Sequence, residues 1–247
     1  MCIRDSSSTI TATSSAATCS SISVSLTFSG QAIAGTDFQN VTTLVIPANQ
    51  TVGSIELEAI DDNIYEGNET IVVDISAVDG GIEGGTQQQS FLLQDNETQP
   101  TVTLATSTTS IDEKTGAATL TATASGAADE NIVVTLSGSG TATAGTDYTL
   151  PTITIAAGSL TGTATFTPVD DTFYETSQAG VAEIATLDIA SVTVGTENGS
   201  QSVSISITER ALNSGTQLSY NLINAEFRRA STEFSNFNAS TATSVQN

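Results

Sequence analysis

The chain has 247 residues, enough for one large or two ordinary domains that each bury a core. Its 27 acidic residues stand against five basic ones, which disfavours nucleic acid and anionic membranes as partners, because phosphate binding needs lysine and arginine in number. With no histidine and only two cysteines, the composition also argues against zinc clusters, a disulfide framework and histidine-dependent nucleophile triads.

The first six residues, MCIRDS, share nothing with the corresponding place in an internal repeat that begins after them. We interpret this hexamer as foreign to the domain, which would leave the first domain without its first strand and with an open sheet edge. No apolar segment follows the hexamer, so no signal peptide is predicted here, and no apolar run is long enough for a membrane span.

One domain occurs twice along the chain. Residues 29–38 (SGQAIAGTDF) match residues 139–148 (SGTATAGTDY) at an offset of 110. Residues 59–66 (AIDDNIYE) match residues 168–175 (PVDDTFYE) at an offset of 109. Self-similarity at a fixed period indicates repeated structural units, so we predict two copies of one fold.

The predicted boundaries follow from this repeat. The first repeat covers residues 1–98 and the second covers residues 99–210, which carries five extra residues within 176–182. The connection at residues 94–100 is short and contains Pro100, which favours a fixed angle between the repeats. Residues 211–247, rich in serine, threonine and asparagine, are predicted to be a tail or linker.

Within each repeat, apolar and polar residues alternate in short runs separated by turn-forming residues. Apolar residues that share one face include Ile22, Val24, Leu26 and Phe28 in one run, Ile71, Val73 and Ile75 in another, and Val203, Ile205 and Ile207 in a third. A period of two indicates half-buried strands, and about 110 residues per copy suits an immunoglobulin-like sandwich. We therefore predict an all-β chain of two tandem immunoglobulin-like antiparallel β-sandwich domains.

The segment 61–69, DDNIYEGNE, places four carboxylates in nine residues with no lysine or arginine beside them. At ~5 Å separation and an effective dielectric of ~20, each charged pair costs roughly 3 kcal/mol. Either this loop is mobile or a cation lies among the acids, and Ca²⁺ suits them because it prefers hard oxygen ligands from flexible loops. The alternative is that aspartate and asparagine serve only to form turns.

The combination of GTDF or GTDY, an apolar strand, Asp-Asp and then Tyr-Glu resembles the Calx-β module found in sodium/calcium exchangers, integrin β4 and large bacterial surface proteins. The resemblance covers about residues 9 to 210, nearly all of both repeats. It implies a sandwich of about seven strands whose loops at one end bind Ca²⁺ through clustered carboxylates.

Carried over residue by residue, the resemblance implies two sets of metal ligands. In the first repeat they are Asp37, Asp61, Asp62, Glu66, Glu69 and Asp95, with the carbonyl of Ile64 as an additional ligand. In the second repeat they are Glu113, Asp147, Asp170, Asp171, Glu175, Glu183 and Glu209. The second repeat departs from the pattern, since Gln178 replaces an acid and Arg210 would repel a cation, so we expect it to bind Ca²⁺ more weakly.

The sequence thus predicts a non-enzymatic, calcium-binding structural or adhesive module from a large secreted or surface protein of bacteria. The expected partners are calcium ions, neighbouring repeats of the same chain, and other cell-surface proteins or glycans. Three alternatives remain open: a metal-free acidic spacer, a calcium-sensing regulatory module, and a fragment of a glycosidase that uses paired carboxylates. The absence of tryptophan, a usual platform for sugars, disfavours the glycosidase.

Overall fold

The computed structural model describes residues 2–3, 7–170 and 182–208. Every regular element in these ranges is a β-strand, so the predicted all-β, tandem sandwich architecture is confirmed. No helix in the described ranges combines the length and apolar character that crossing a lipid bilayer requires.

The first repeat contains two sheets, built from strands whose length and alternation follow the period-2 pattern. Its strands are β1 (Cys2–Ile3), β2 (Ser7–Thr13), β3 (Ile22–Gly30), β4 (Thr43–Ile46), β5 (Val52–Glu58), β6 (Ile64–Tyr65), β7 (Glu69–Asp79) and β8 (Gln88–Leu93). One sheet has the order β1-β8-β7-β3-β4 and the other consists of β2 and β5.

The second repeat has the same plan with a larger second sheet. Its strands are β9 (Thr101–Thr106), β10 (Ser110–Asp112), β11 (Ala118–Ala124), β12 (Ala127–Ala128), β13 (Ile132–Gly140), β14 (Ile153–Ile155), β15 (Thr161–Phe166), β16 (Glu183–Val192), β17 (Thr196–Glu197) and β18 (Ser202–Thr208). The sheet orders are β10-β18-β16-β13-β14 and β15-β11-β9-β17.

Backbone details repeat between the two copies. The ladder between β3 and β7 shifts register at Ser25/Leu26, and the ladder between β13 and β16 shifts at Thr135/Leu136. These bulges lie 110 residues apart, at the offset found in the sequence. The two repeats therefore share irregularities of the backbone as well as their strand order.

The sandwiches are not purely antiparallel, because short parallel pairs lie at their edges. β10 pairs with β18, β17 with β9, and β1 with β8, all in parallel. The backbone of β1 thus lies on β8 as that of β10 lies on β18. The interpretation of residues 1–6 as foreign and the predicted domain boundaries stay predictions.

Each repeat packs its sheets around one aromatic ring from the GTD turn. Phe38 in the first repeat and Tyr148 in the second are both 0 % exposed. Phe38 meets Phe28 edge-to-face with ring centroids 5.1 Å apart, and Tyr148 lies 5.1 Å from Phe166. The turn that carries the candidate ligand Asp37 is therefore fixed to the core through the next residue.

The repeats contact each other through the acidic loop of the first. β6 pairs in parallel with β12 of the second repeat, and the amide of Asp129 donates to the carbonyl of Tyr65 at 3.2 Å. The half-buried ring of Tyr65 packs against the core of the second repeat. Loop 61–69 is thus held between the two domains.

Candidate metal centre

The GTDF turn holds Asp37 against the start of the acidic loop. Oδ2 of Asp37 accepts the amide of Ile33 at 2.6 Å, and the Asp37 carbonyl accepts the amide of Ile60 at 2.9 Å. Phe38 forms a β-bridge with Ala59. Asp37 is only 6 % exposed, so its carboxylate is a buried acid placed beside residues 60–62.

The start of the loop is shaped by its own aspartates. Oδ1 of Asp62 accepts the amide of Ile64 at 2.7 Å, which is the local bond by which aspartate stabilises a turn. Oδ1 of Asp61 accepts a hydrogen bond from the side-chain amide of Asn96 at 3.0 Å. Both carboxylates retain further lone pairs, so turn formation does not exclude a role as ligands.

Asp95, at the C-terminal end of the first repeat, accepts hydrogen bonds from the backbone of this loop. Its Oδ2 accepts the amides of Glu66 at 2.8 Å and Gly67 at 2.6 Å, and its Oδ1 accepts the amide of Glu97 at 2.9 Å. Burial alone would raise the pKa of Asp95, but these backbone donors outweigh it and lower the pKa. Asp95 therefore stays ionised and holds Glu66 in place.

Three carboxylates converge at the centre of this arrangement. One oxygen each from Asp37, Glu66 and Glu69 lies within 4.8 Å of the other two. Burial, followed by the charge of Asp37, raises the pKa of Glu66 and of Glu69 to about 7. Oε2 of Glu69 is buried without a hydrogen-bond partner. The cluster contains negative charge that no described group of the protein compensates.

These residues fit Ca²⁺. Oxygens that share one Ca²⁺ at about 2.3 to 2.6 Å lie within about 5 Å of each other, and the three converging oxygens meet that condition. The donors are all hard oxygens, and the unpartnered Oε2 of Glu69 is an acceptor that a cation would satisfy. No other group of three acids in the described ranges converges as closely.

All the ligands predicted in the first repeat lie in one cleft at the end of the sandwich. The cleft is lined by Asp37, Asp61, Asp62, Ile64, Glu66, Glu69 and Asp95, together with Asn96 and Glu97. Their individual roles, including that of the Ile64 carbonyl, stay predictions.

The second repeat reproduces the scaffold of this site. Oδ2 of Asp147 accepts the amide of Thr143 at 2.5 Å, and the Asp147 carbonyl accepts the amide of Val169 at 2.9 Å. Glu113 is 7 % exposed, and Glu183 begins β16 as Glu69 begins β7. Asp170 is exposed, while Asp171, Glu175 and Glu209 lie outside the described residues, as does Gln178.

Three residues near the first site were not among those predicted. Asn96 and Glu97 line the cleft directly after Asp95, and the run Asp-Asn-Glu at the exit of the repeat was the available signal. Asp129, in the second repeat, adds its charge to the causes that raise the pKa of Glu66 and Glu69. Nothing in the sequence places Asp129 there, because its position depends on how the repeats dock.

A family model described as the Calx-beta domain matches the chain twice, over residues 9–97 and 95–209. Among solved structures, CBD12 from CALX1.2 is 15 % identical with a TM-score of 0.33, covering 75 % of this chain and 73 % of that chain. The apo form of the Calx CBD1 domain is also 15 % identical, with a TM-score of 0.36, covering 45 % of this chain and 99 % of that chain. No curated protein sequence matches the chain.

Proposed function

Because the chain belongs to the Calx-beta domain family through both of its repeats, we propose that it is a non-enzymatic calcium-binding structural module. The observation that carries this proposal is the convergence of Asp37, Glu66 and Glu69, with a buried oxygen of Glu69 that has no hydrogen-bond partner. In this proposal the first repeat binds Ca²⁺ more tightly than the second.

The ion would act on the shape of the chain. Without it, like charges on the turn, the loop and the repeat exit oppose close approach. A cation held by them removes that repulsion, so ion binding couples to the folded arrangement of these three segments. Because Tyr65 of the same loop packs on the second repeat, Ca²⁺ would also stiffen the junction between the repeats.

We further propose that the chain is part of a secreted or cell-surface bacterial protein, in which such repeats form a stalk or an adhesive array. The short connection and the ladder between β6 and β12 support a stiff junction between neighbouring repeats. Other surface proteins or glycans are the proposed adhesive partners.

Calorimetry and thermal unfolding of the whole chain test calcium binding. We expect heat of binding on Ca²⁺ addition and a melting temperature that rises with Ca²⁺ and falls with EDTA. Glu69→Gln should remove most of the effect, whereas Glu56→Gln, on the exposed face of β5, should preserve it. If the melting curve of the unaltered chain is identical in millimolar Ca²⁺ and in EDTA, the proposal fails.

A metal-free acidic spacer is the second candidate, and one observation favours it. With pKa values of about 7, Glu66 and Glu69 can relieve their repulsion by binding protons instead of a cation. A spacer of this kind would show no heat with Ca²⁺, yet its melting temperature would still rise as the pH falls from 8 to 6. The heat of Ca²⁺ binding separates the two candidates, because the calcium-free chain should show the same pH dependence in both.

A further inference from the structure

The connection between the repeats ends against a turn of the second repeat, residues 193–195, which we name the linker turn. This turn joins β16 to β17. The carbonyl of Pro100 accepts the amide of Thr196 at 2.9 Å, and the side-chain amide of Gln99 donates to the carbonyl of Val194 at 3.2 Å. The chain then continues directly into β9, which pairs in parallel with β17. The last two residues of the connection are therefore held on the second repeat.

The contact between Pro100 and the linker turn leaves no room for a side chain. Pro100 is buried, although Thr98 and Gln99 before it are exposed. Gly195 is also buried, and a β-carbon built on it would lie 2.7 Å from the carbonyl oxygen of Pro100. Since that distance is too short for two such atoms, any residue other than glycine at this place would push the connection away. Pro100 also restricts Gln99 to extended conformations, which limits how the connection enters β9.

The linker turn has a conformation that its surroundings enforce. Val194 has a φ of 62°, in the left-handed region that β-branched residues rarely adopt. The equivalent residue of the first repeat, 114 positions earlier, is Gly80, whose φ of 82° carries no steric cost for glycine. The side chain of Val194 packs against the second core, and Thr193 forms two hydrogen bonds with the backbone of Val133, at 2.8 and 3.0 Å. Packing and hydrogen bonds on both sides thus hold the turn in one shape.

We propose that the linker turn is a clamp that fixes the connection to the second repeat and so sets the angle between the repeats without an ion. The contacts that carry it are two hydrogen bonds to backbone carbonyls and the close approach of Gly195 to Pro100. None of these contacts involves a carboxylate, so they do not depend on Ca²⁺ or on pH. Removal of an ion would loosen loop 61–69 but leave Gln99 and Pro100 in place.

The alternative is that loop 61–69 sets the angle alone, through the packing of Tyr65 and the pairing of β6 with β12. The loop and the linker turn contact different parts of the chain, so each attachment can be broken separately. Gly195→Ala breaks the contact at the linker turn. The φ of Gly195 lies outside the left-handed region, so the added methyl group is opposed by the carbonyl of Pro100 and not by the backbone conformation of residue 195.

Distances between two spin labels measure the angle between the repeats. One label is attached to the exposed Cys19 in the first repeat and the other to Thr163→Cys on the exposed face of β15, in a chain that also carries Cys2→Ser. We expect Gly195→Ala to broaden the distance distribution to about twice its width, in Ca²⁺ and in EDTA alike. Hydrogen exchange of the Thr196 amide should accelerate at least about tenfold.

Gly126→Ala is the matched control, because a β-carbon on Gly126 meets open space and its φ also lies outside the left-handed region. It should leave the distances and the exchange unchanged. Gln99→Ala removes an exposed side chain and its bond to Val194, and it should broaden the distribution less than Gly195→Ala does. Amide exchange in the ladder between β13 and β16 checks that the second repeat stays folded in each variant.

The proposal is overturned if the folded Gly195→Ala chain keeps the distance distribution of the unaltered chain, since the loop would then set the angle alone. It is also overturned if the distribution broadens only in EDTA, because the ion would then replace the clamp. If Gly195→Ala does not fold, Gln99→Ala decides, and an unchanged distribution overturns the proposal. The calcium response of the melting temperature should persist in Gly195→Ala, and its loss in the unaltered chain would count only against calcium binding.

Discussion

The two repeats have the same turn at the end of the sandwich but carry different charge around it. The carboxylates of Asp37 and Asp147 each accept a hydrogen bond from the backbone amide four residues earlier. The carbonyl of each accepts the amide of the residue directly before the Asp-Asp pair of its repeat. In the first repeat, Glu66, Glu69 and Asp95 then meet Asp37 in one cleft. In the second, the sequence inserts five residues before Glu183, and Asp171, Glu175 and Glu209 lie outside the described residues. Within the described residues, only the first repeat brings three carboxylates together on this shared backbone scaffold.

The sharpest test of this difference is the pair Asp37→Asn and Asp147→Asn. We expect Asp37→Asn to remove most of the Ca²⁺-dependent stabilisation, which is about 4 kcal/mol when free Ca²⁺ is about 1,000 times Kd. Asp147→Asn should change it by less than about 1 kcal/mol, because the second repeat is expected to bind weakly. Thermal unfolding of both variants in Ca²⁺ and in EDTA measures the two effects.

Asparagine keeps the oxygen that accepts the amide of Ile33 or Thr143, so both variants should fold. Cooperative unfolding curves recorded in EDTA check that both variants are folded. Equal losses of calcium response in the two variants would show that the repeats bind Ca²⁺ alike and that the comparison is wrong.

The next test concerns the junction, where the loop of the first repeat pairs with β12 and packs against the core of the second repeat. Tyr65→Ala removes a half-buried ring that packs against the second core, and we expect it to cost about 2 kcal/mol of coupling between the repeats. The single unfolding transition of coupled domains should then separate into two. Val52→Ala, at a side chain 49 % exposed on β5, is the matched control and should leave the transitions unchanged.

The pH dependence of the calcium-free chain tests the charge cluster itself. Glu66 and Glu69 have pKa values of about 7 when folded and 4.5 as the ordinary value, so the folded state retains protons that the unfolded state has lost. Their contribution to stability is present below pH 4.5 and is lost as the pH rises through 7. Because both side chains are half-buried and still reach solvent, screening reduces the expected loss to about 1 to 2 kcal/mol.

Unfolding in EDTA between pH 5 and pH 8 measures this loss. In saturating Ca²⁺ the sign should reverse, since protons compete with the ion and lower its affinity as the pH falls. The stability of the double variant Glu66→Gln, Glu69→Gln should not change with pH over this range, either in EDTA or in Ca²⁺. A calcium-free chain that becomes more stable as the pH rises through 7 would contradict the raised pKa values.

Much of the fold could be predicted because it depends on local pattern. Alternation placed Ile22, Val24 and Leu26 on a buried face, and the internal repeat indicated two copies. The short parallel pairs at the sheet edges could not be predicted, since strands of two or three residues, such as β1, β10 and β17, leave no periodic signal.

For the site, the sequence indicates which acids exist but not which of them meet. The convergence of Asp37 with Glu66 and Glu69 depends on a β-bridge between Phe38 and Ala59, a contact 21 positions apart in the chain. The approach of Asp129 depends on docking between domains, which no spacing within one repeat encodes. Long-range contacts of this kind follow from tertiary packing and not from local sequence.

The smallest expected effect concerns the ring that anchors the turn, where the repeats differ by one hydroxyl group. Tyr148 is 0 % exposed and its Oη is buried without a hydrogen-bond partner, whereas Phe38 has no polar atom at this place. Burying an unsatisfied hydroxyl costs about 1 to 3 kcal/mol, so Tyr148→Phe should raise the stability of the second repeat by about 1 kcal/mol. Chemical unfolding measures this change. The converse variant, Phe38→Tyr, should destabilise the first repeat, and a loss of stability on Tyr148→Phe would show that the hydroxyl is satisfied.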